Sequence, residues 1–222
     1  MSVDSQSRIT RRLSQTIPLQ RSKRRARGLK RDKSDWSVNP HAPSDTTVRV
    51  DFVDRNLPAF PIDQSKAIVI GRVTDGQAYL SNDKSGVYSV FSVLVEQALT
   101  NHSSVVVPSD GSIEVEREGG RVKFPSGRIH LYMTSEQNMP EIGSRYVFFL
   151  TAGENEGVFQ IITAYELRDG KVFPLDNLPK PKSYLDADET AFLSALKSKI
   201  SNKEVSADYG GAEQEFRPKR IG

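Results

Sequence analysis

Ala67-Ile68-Val69-Ile70-Gly71-Arg72-Val73, followed by Val87-Tyr88-Ser89-Val90-Phe91-Ser92-Val93-Leu94-Val95-Glu96-Gln97-Ala98-Leu99, decides the fold. The first stretch is β-branched and apolar on both faces at its start, as a strand inside a sheet must be. Gly71 within it predicts a bulge or bend of the kind that coils a sheet. Tyr79-Leu80 extends this strand toward a polar turn over Ser81 to Gly86. The second stretch alternates. Tyr88, Val90, Ser92, Leu94 and Glu96 share one face, and Val87, Ser89, Phe91, Val93 and Val95 share the other. The second set is the more apolar and is assigned to the core.

Period-two patterning continues on both sides. Upstream, Val48, Val50 and Phe52 line one face of a strand beginning at Thr46, and Pro58 and Pro61 make 55–64 a loop. Downstream, His102 to Asp110 is a polar loop holding Val105-Val106-Val107. Ile113-Glu114-Val115-Glu116-Arg117-Glu118 alternates, Gly119-Gly120 interrupts, and Arg121-Val122-Lys123-Phe124 resumes, which predicts a hairpin or a sharply bent strand. Pro125 to Gly143 is expected to be the longest loop, a length more often functional or mobile than structural. Arg145 to Leu150 is apolar on both faces, hence a central strand, and Val158 to Leu167 is the next. Asp169-Gly170 predicts a type I′ turn into Lys171-Val172-Phe173, which Pro174 ends.

Beyond Asp176 the period becomes helical. Phe192, Leu193, Leu196 and Ile200 share a face, Asp186 or Asp188 can cap, and Lys197 and Lys199 are placed near the C-terminal end of the helix. The expected organisation is therefore a basic disordered tail over 1–45, an all-β domain over 46–176, a linker and amphipathic helix over 177–202, and a disordered end over 203–222.

Composition agrees with a normal domain diluted by polar segments. Of 222 residues, 36% are hydrophobic, and the mean hydropathy is −0.49. The absence of cysteine removes disulfides, thiolate zinc sites, iron–sulfur ligation and cysteine nucleophiles together. No apolar run approaches the ~18 residues of a transmembrane helix. The first 35 residues hold no apolar signal core, so the chain is expected to be cytoplasmic, or exported if its true start lies downstream.

The net charge of +3 conceals an asymmetry. Residues 1–33 carry 11 Lys/Arg against 2 Asp/Glu, and the remainder carries 20 against 26. Arg21, Lys23, Arg24, Arg25, Arg27, Lys30, Arg31 and Lys33 form a cluster able to neutralise phosphates of nucleic acid or anionic lipid. Ile9, Leu13 and Ile17 would line one face of a short helix that needs a partner or a membrane surface.

The order of motifs resembles the netrin-like and metalloproteinase-inhibitor-like variants of the OB fold. Their opening apolar strand ending in Gly-x-Val is matched by Ala67 to Val73, their long second strand by Val87 to Leu99, and their later Gly-x-x-Tyr-apolar strand by Gly143-Ser144-Arg145-Tyr146-Val147-Phe148-Phe149-Leu150. With Gly119-Gly120 and Gly170 to Asp176, the run is also similar to uncharacterised bacterial proteins of this shape. The resemblance spans roughly 110 residues by strand spacing. It implies a small coiled OB-like β-barrel. It does not imply inhibition, because the inhibitors act through an N-terminal cysteine that this chain lacks.

No catalytic, cofactor or metal residue is assigned. His41, His102 and His130 fall in no metal-ligand spacing, and no Gly-x-Ser-x-Gly elbow occurs. A hydrolase site assembled from loops would have to join His102 or His130 to a serine or carboxylate. Glu114, Glu116 and Glu118 on one strand face read as a solvated face rather than a carboxylate pair or cation site. Gly119-Gly120 and Gly210-Gly211 lack the Gly-Lys-Ser/Thr ending of a phosphate loop. Tyr146, Phe148 and Phe149 read as core rather than as stacking platforms, since the body is net acidic. The expected function is a non-enzymatic binding or structural module: the barrel as scaffold for a protein partner, 125–143 as its variable surface, the tail as tether to nucleic acid or another anionic surface.

Overall fold

A computed structural model describes residues 46–50, 54–80, 86–101, 107–108, 111–124, 126–153 and 157–210. The basic cluster Arg21, Lys23, Arg24, Arg25, Arg27, Lys30, Arg31 and Lys33, the Ile9–Ile17 helix, His41 and His102 lie outside the described residues.

Most of the described chain is strand: β1 (Thr46–Val50), β2 (Ala67–Leu80), β3 (Val87–Asn101), β4 (Ser112–Glu118), β5 (Gly120–Lys123), β6 (Ile129–Thr134), β7 (Arg145–Ala152), β8 (Val158–Arg168), β9 (Lys171–Pro174) and β10 (Ala187–Asp188). A single turn of helix, α1 (Pro179–Lys182), and a long helix, α2 (Glu189–Gly210), complete it. Five strands pair in an uneven ring. β2 pairs antiparallel with β3 and β7, β3 with β4, and β7 with β8, while β4 and β8 run parallel. The parallel seam is short, limited to Glu114↔Val158, Val115↔Phe159 and Glu116↔Gln160.

Two cores result. Inside the ring, Val69, Val73, Phe91, Val93, Phe148 and Phe159 pack together. The β3 residues assigned to the core are buried as expected: Val87, Ser89, Phe91, Val93 and Val95. Tyr146, Phe148 and Phe149 are buried too. The β2–β3 register shifts between Ile70 and Gly71. A Cβ on Gly71 would lie 2.6 Å from Val93 Cγ1 and 2.7 Å from the Leu94 carbonyl oxygen. Only glycine admits that approach.

The second core lies outside the ring. The outward residues Ile68, Ile70, Val147, Phe149 and Tyr165 are covered by Phe60 and by Phe192, Leu196 and Ile200 of α2. Burial of each such side chain contributes about 1.5–3 kcal/mol. Phe60 meets Phe192 edge-on at 5.3 Å and stacks on Tyr184 at 4.9 Å. The Tyr165 hydroxyl donates to the Ala59 carbonyl, pinning the loop before β2. Asp188 caps α2 by accepting from Ala191 N at 2.8 Å. The helix runs to Gly210, past the expected boundary at 202, because no Gly or Pro occurs between Glu189 and Gly210. Lys197 and Lys199 are thus mid-helix, and 203–210 is not part of a disordered end.

A separate three-stranded sheet, β1-β6-β5, corrects the expectation of a loop over Pro125 to Gly143. Ile129-His130-Leu131-Tyr132-Met133-Thr134 is a strand, paired parallel with β1 and antiparallel with β5. Its Ile129/Leu131/Met133 alternation carries the β signal, but polar flanks hide it. Gly119 and Gly120, at φ 102° and 136°, turn the chain from one sheet into the other. The bent-strand alternative holds, since β4 and β5 belong to different sheets. At the far end, Asp169 and Gly170 both take positive φ, as a type I′ turn requires.

Candidate functional site

The alternation of β4 that turns Glu114, Glu116 and Glu118 outward turns Arg117 inward with Ile113 and Val115. Arg117 is 2% exposed and Asp176, just past β9, is 1% exposed. Arg117 Nη2 donates to both Asp176 carboxylate oxygens, at 2.7 and 2.8 Å. The Thr163 hydroxyl, from β8, donates to Asp176 Oδ2 at 2.8 Å. Arg117 Nε has no partner among the described residues. Such a pair is expensive to desolvate and contributes little net stability against an apolar alternative. Its consequence here is to fix position.

The element it fixes is the segment after β6. Asn138 is held at three points. Its carbonyl accepts from Arg117 Nη1 at 3.0 Å, its amide N donates to Asp176 Oδ1 at 3.4 Å, and its Nδ2 donates to the Leu175 carbonyl at 2.8 Å. Before it, Gln137 N closes a turn onto the Thr134 carbonyl at 3.2 Å. Glu136 within that turn has φ 63°, a left-handed conformation that costs a non-glycine residue about 1–2 kcal/mol. Its carbonyl accepts from Asn177 N at 2.8 Å.

These contacts shape a cleft of about 280 Å³ whose lining includes Met133, Ser135, Glu136, Gln137, Asn138 and Asn177. That volume is at the small end for a ligand pocket. The lining supplies hydroxyl and amide groups and one ionisable side chain, Glu136. Glu136 makes no ion pair or side-chain hydrogen bond among the described residues. The cleft can therefore bind and orient a polar group through hydrogen bonds and one negative charge.

The other ionisable groups sit elsewhere. His130 is on β6 rather than in a loop, with its ring 4.7 Å from Phe124 and outside the cleft lining. Glu118 is exposed, Glu114 and Glu116 half-buried. No cluster of three metal-ligating side chains forms among the described residues. Arg145 bridges Glu96 and Glu189, each at 2.7 Å, tying the ring to α2. Burial works against its charge, yet the hydrogen bonds to Glu96 and Glu189 outweigh this and raise its pKa. Burial pushes the Tyr146 hydroxyl up to about 12, against a backbone hydrogen bond from Glu141. Among the described residues no helix is long and apolar enough to cross a membrane.

Sequence reasoning placed this site's loop inside 125–143 but missed Arg117 and Asp176. The parity of β4 could have found the first: a charged residue on the apolar set of an alternating strand demands a buried counter-ion. No protein-family model matches the chain, and no curated protein matches it.

Proposed function

We propose that the protein is a non-enzymatic binding module, an OB-like barrel of the netrin-like and metalloproteinase-inhibitor-like kind, with the Glu136–Asn138 cleft as its ligand surface. The strand order β2-β3-β4-β8-β7 with parallel β4 and β8 supports the barrel. The observation that carries the binding role is the fastening of the cleft turn to a buried ion pair. A site held this way is ordered before the ligand arrives, which lowers the entropy cost of binding. The test is amide NMR of the full chain against amino acids, sugars and nucleotides. Saturable shifts of the Asn138 and Asn177 amides are expected. Responses confined to other surfaces, or a hydrolase activity removed by one point substitution, would overturn the proposal.

A second role rests on the charge asymmetry. Eight basic side chains, Arg21, Lys23, Arg24, Arg25, Arg27, Lys30, Arg31 and Lys33, tether the module to nucleic acid or an anionic surface. Replacing all eight by Gln in the full chain should abolish salt-dependent duplex binding; an unchanged salt slope sinks the idea.

A further inference from the structure

We infer that the cleft accepts a guanidinium group, with Glu136 as its counter-ion. This rests on the cleft being the ligand surface, as proposed above. Three observations carry it. The cleft lining includes one carboxylate and no lysine or arginine, so nothing in it competes for the negative charge. Glu136 occupies a left-handed turn position that favours glycine or asparagine. The backbone does not call for a glutamate there, and no ion pair or side-chain hydrogen bond among the described residues does either. Glu136 is exposed and is one of the residues that line the cleft.

The third observation concerns the neutral groups. One N–H of Asn138 Nδ2 donates to the Leu175 carbonyl, which fixes the orientation of that amide and with it the acceptor Oδ1. Gln137 and Asn177 also line the cleft, and each carries a side-chain amide whose oxygen is an acceptor. A carboxylate beside amide oxygens suits a ligand rich in donors. Guanidinium offers five N–H groups in a planar fork that matches carboxylate geometry. About 280 Å³ is room enough for a group of guanidinium size. The three bonds to Asn138 keep its Oδ1 in place without the ligand.

The test uses the full chain, ¹⁵N-labelled and titrated with N-acetyl-arginine amide and with its neutral isostere N-acetyl-citrulline amide. The arginine compound should shift the Asn138 and Asn177 amides saturably, weaken with added salt, and bind at least about fivefold tighter than the citrulline compound. Glu136→Gln keeps the backbone and an exposed side chain. It should weaken arginine binding about tenfold, the loss of one charge-assisted hydrogen bond, with an unchanged thermal midpoint. Equal binding of the two compounds, or unchanged affinity in Glu136→Gln, overturns the guanidinium and leaves the binding module standing. No shift from either compound overturns the guanidinium, whereas the wider ligand panel decides the module. A free L-arginine arm separates sources: tighter binding than the blocked compound assigns a free amino acid, weaker binding an arginine within a peptide.

Discussion

Asp176→Ala removes the only countercharge at Arg117 among the described residues while leaving the guanidinium 2% exposed. The Thr163 hydroxyl loses its acceptor in the same step. Stranding one member of a buried pair costs about 3–5 kcal/mol. That is a large part of the ~5–15 kcal/mol that holds a typical domain folded. At about 2–4 °C per kcal/mol for a domain of this size, the midpoint should fall by about 6–20 °C. Urea unfolding and calorimetry of the full chain at pH 7 measure both. Replacing both partners with apolar residues, Arg117→Met with Asp176→Leu, should return stability to within about 1–2 kcal/mol of the parent, since the pair itself roughly balances its desolvation. The two effects are thus strongly non-additive. Amide exchange at Asn138 should accelerate in both variants, because its N and carbonyl are held by the pair. A single-variant cost under about 1 kcal/mol, or a double variant equal to the sum of the singles, would refute the reasoning.

Gly71→Ala should destabilise by about 1–3 kcal/mol in urea, because the new methyl meets the Leu94 backbone oxygen at 2.7 Å, which cannot swing away. Burial raises the hydroxyl pKa of Tyr146 to about 12, and burial followed by Tyr184 and Asp176 raises that of Tyr165 further. Unfolded tyrosine ionises near 10, so this stability is complete below pH ~10 and falls above it by about 1.4 kcal/mol per pH unit for each tyrosine. Urea midpoints from pH 9 to 11.5 should show the fall, and Tyr146→Phe should flatten it; an equally steep fall in that variant disproves the assignment. Glu136→Gly should match or exceed parental stability by up to about 1 kcal/mol, since it relieves φ 63°, while weakening arginine binding by at least the ~tenfold expected of Glu136→Gln. A loss of stability would show that Glu136 has structural contacts.

The parts of the fold legible in sequence are those where one local period dominates. β3 alternates from Val87 to Glu96, where the set its apolar content assigned is buried, joined by Val90 from the other face. The helix face at Phe192, Leu196 and Ile200 and the Asp169-Gly170 turn were legible for the same reason. β6 was not. Its alternation of Ile129, Leu131 and Met133 is interleaved with His130, Tyr132 and Thr134, which the polar run Ser135 to Asn138 makes read as loop. Its partner β1 lies some eighty residues earlier, so pairing with it is a long-range fact that no local window contains.

The candidate site is harder still, because its organising contact joins Arg117 and Asp176 across 59 residues. Yet part of it was written locally. In Ile113-Glu114-Val115-Glu116-Arg117-Glu118 the three glutamates share one parity, and Arg117 stands alone among the apolar set. An inward arginine requires an acidic partner and donors to complete that partner, and Asp176 with Thr163 meets the requirement. Leu175 and Asp176 leave β9 directly, so the carboxylate is positioned by the same hairpin that the Asp169-Gly170 turn registers. The pair then serves Asn138 from both sides, its guanidinium taking the carbonyl and its carboxylate the amide N. Neutral apolar residues at 117 and 176 could fill the same space, but they could not hold a peptide group in that orientation. The buried charge is therefore explained by the turn over 134–138 that it orients, a task the apolar strands could not perform.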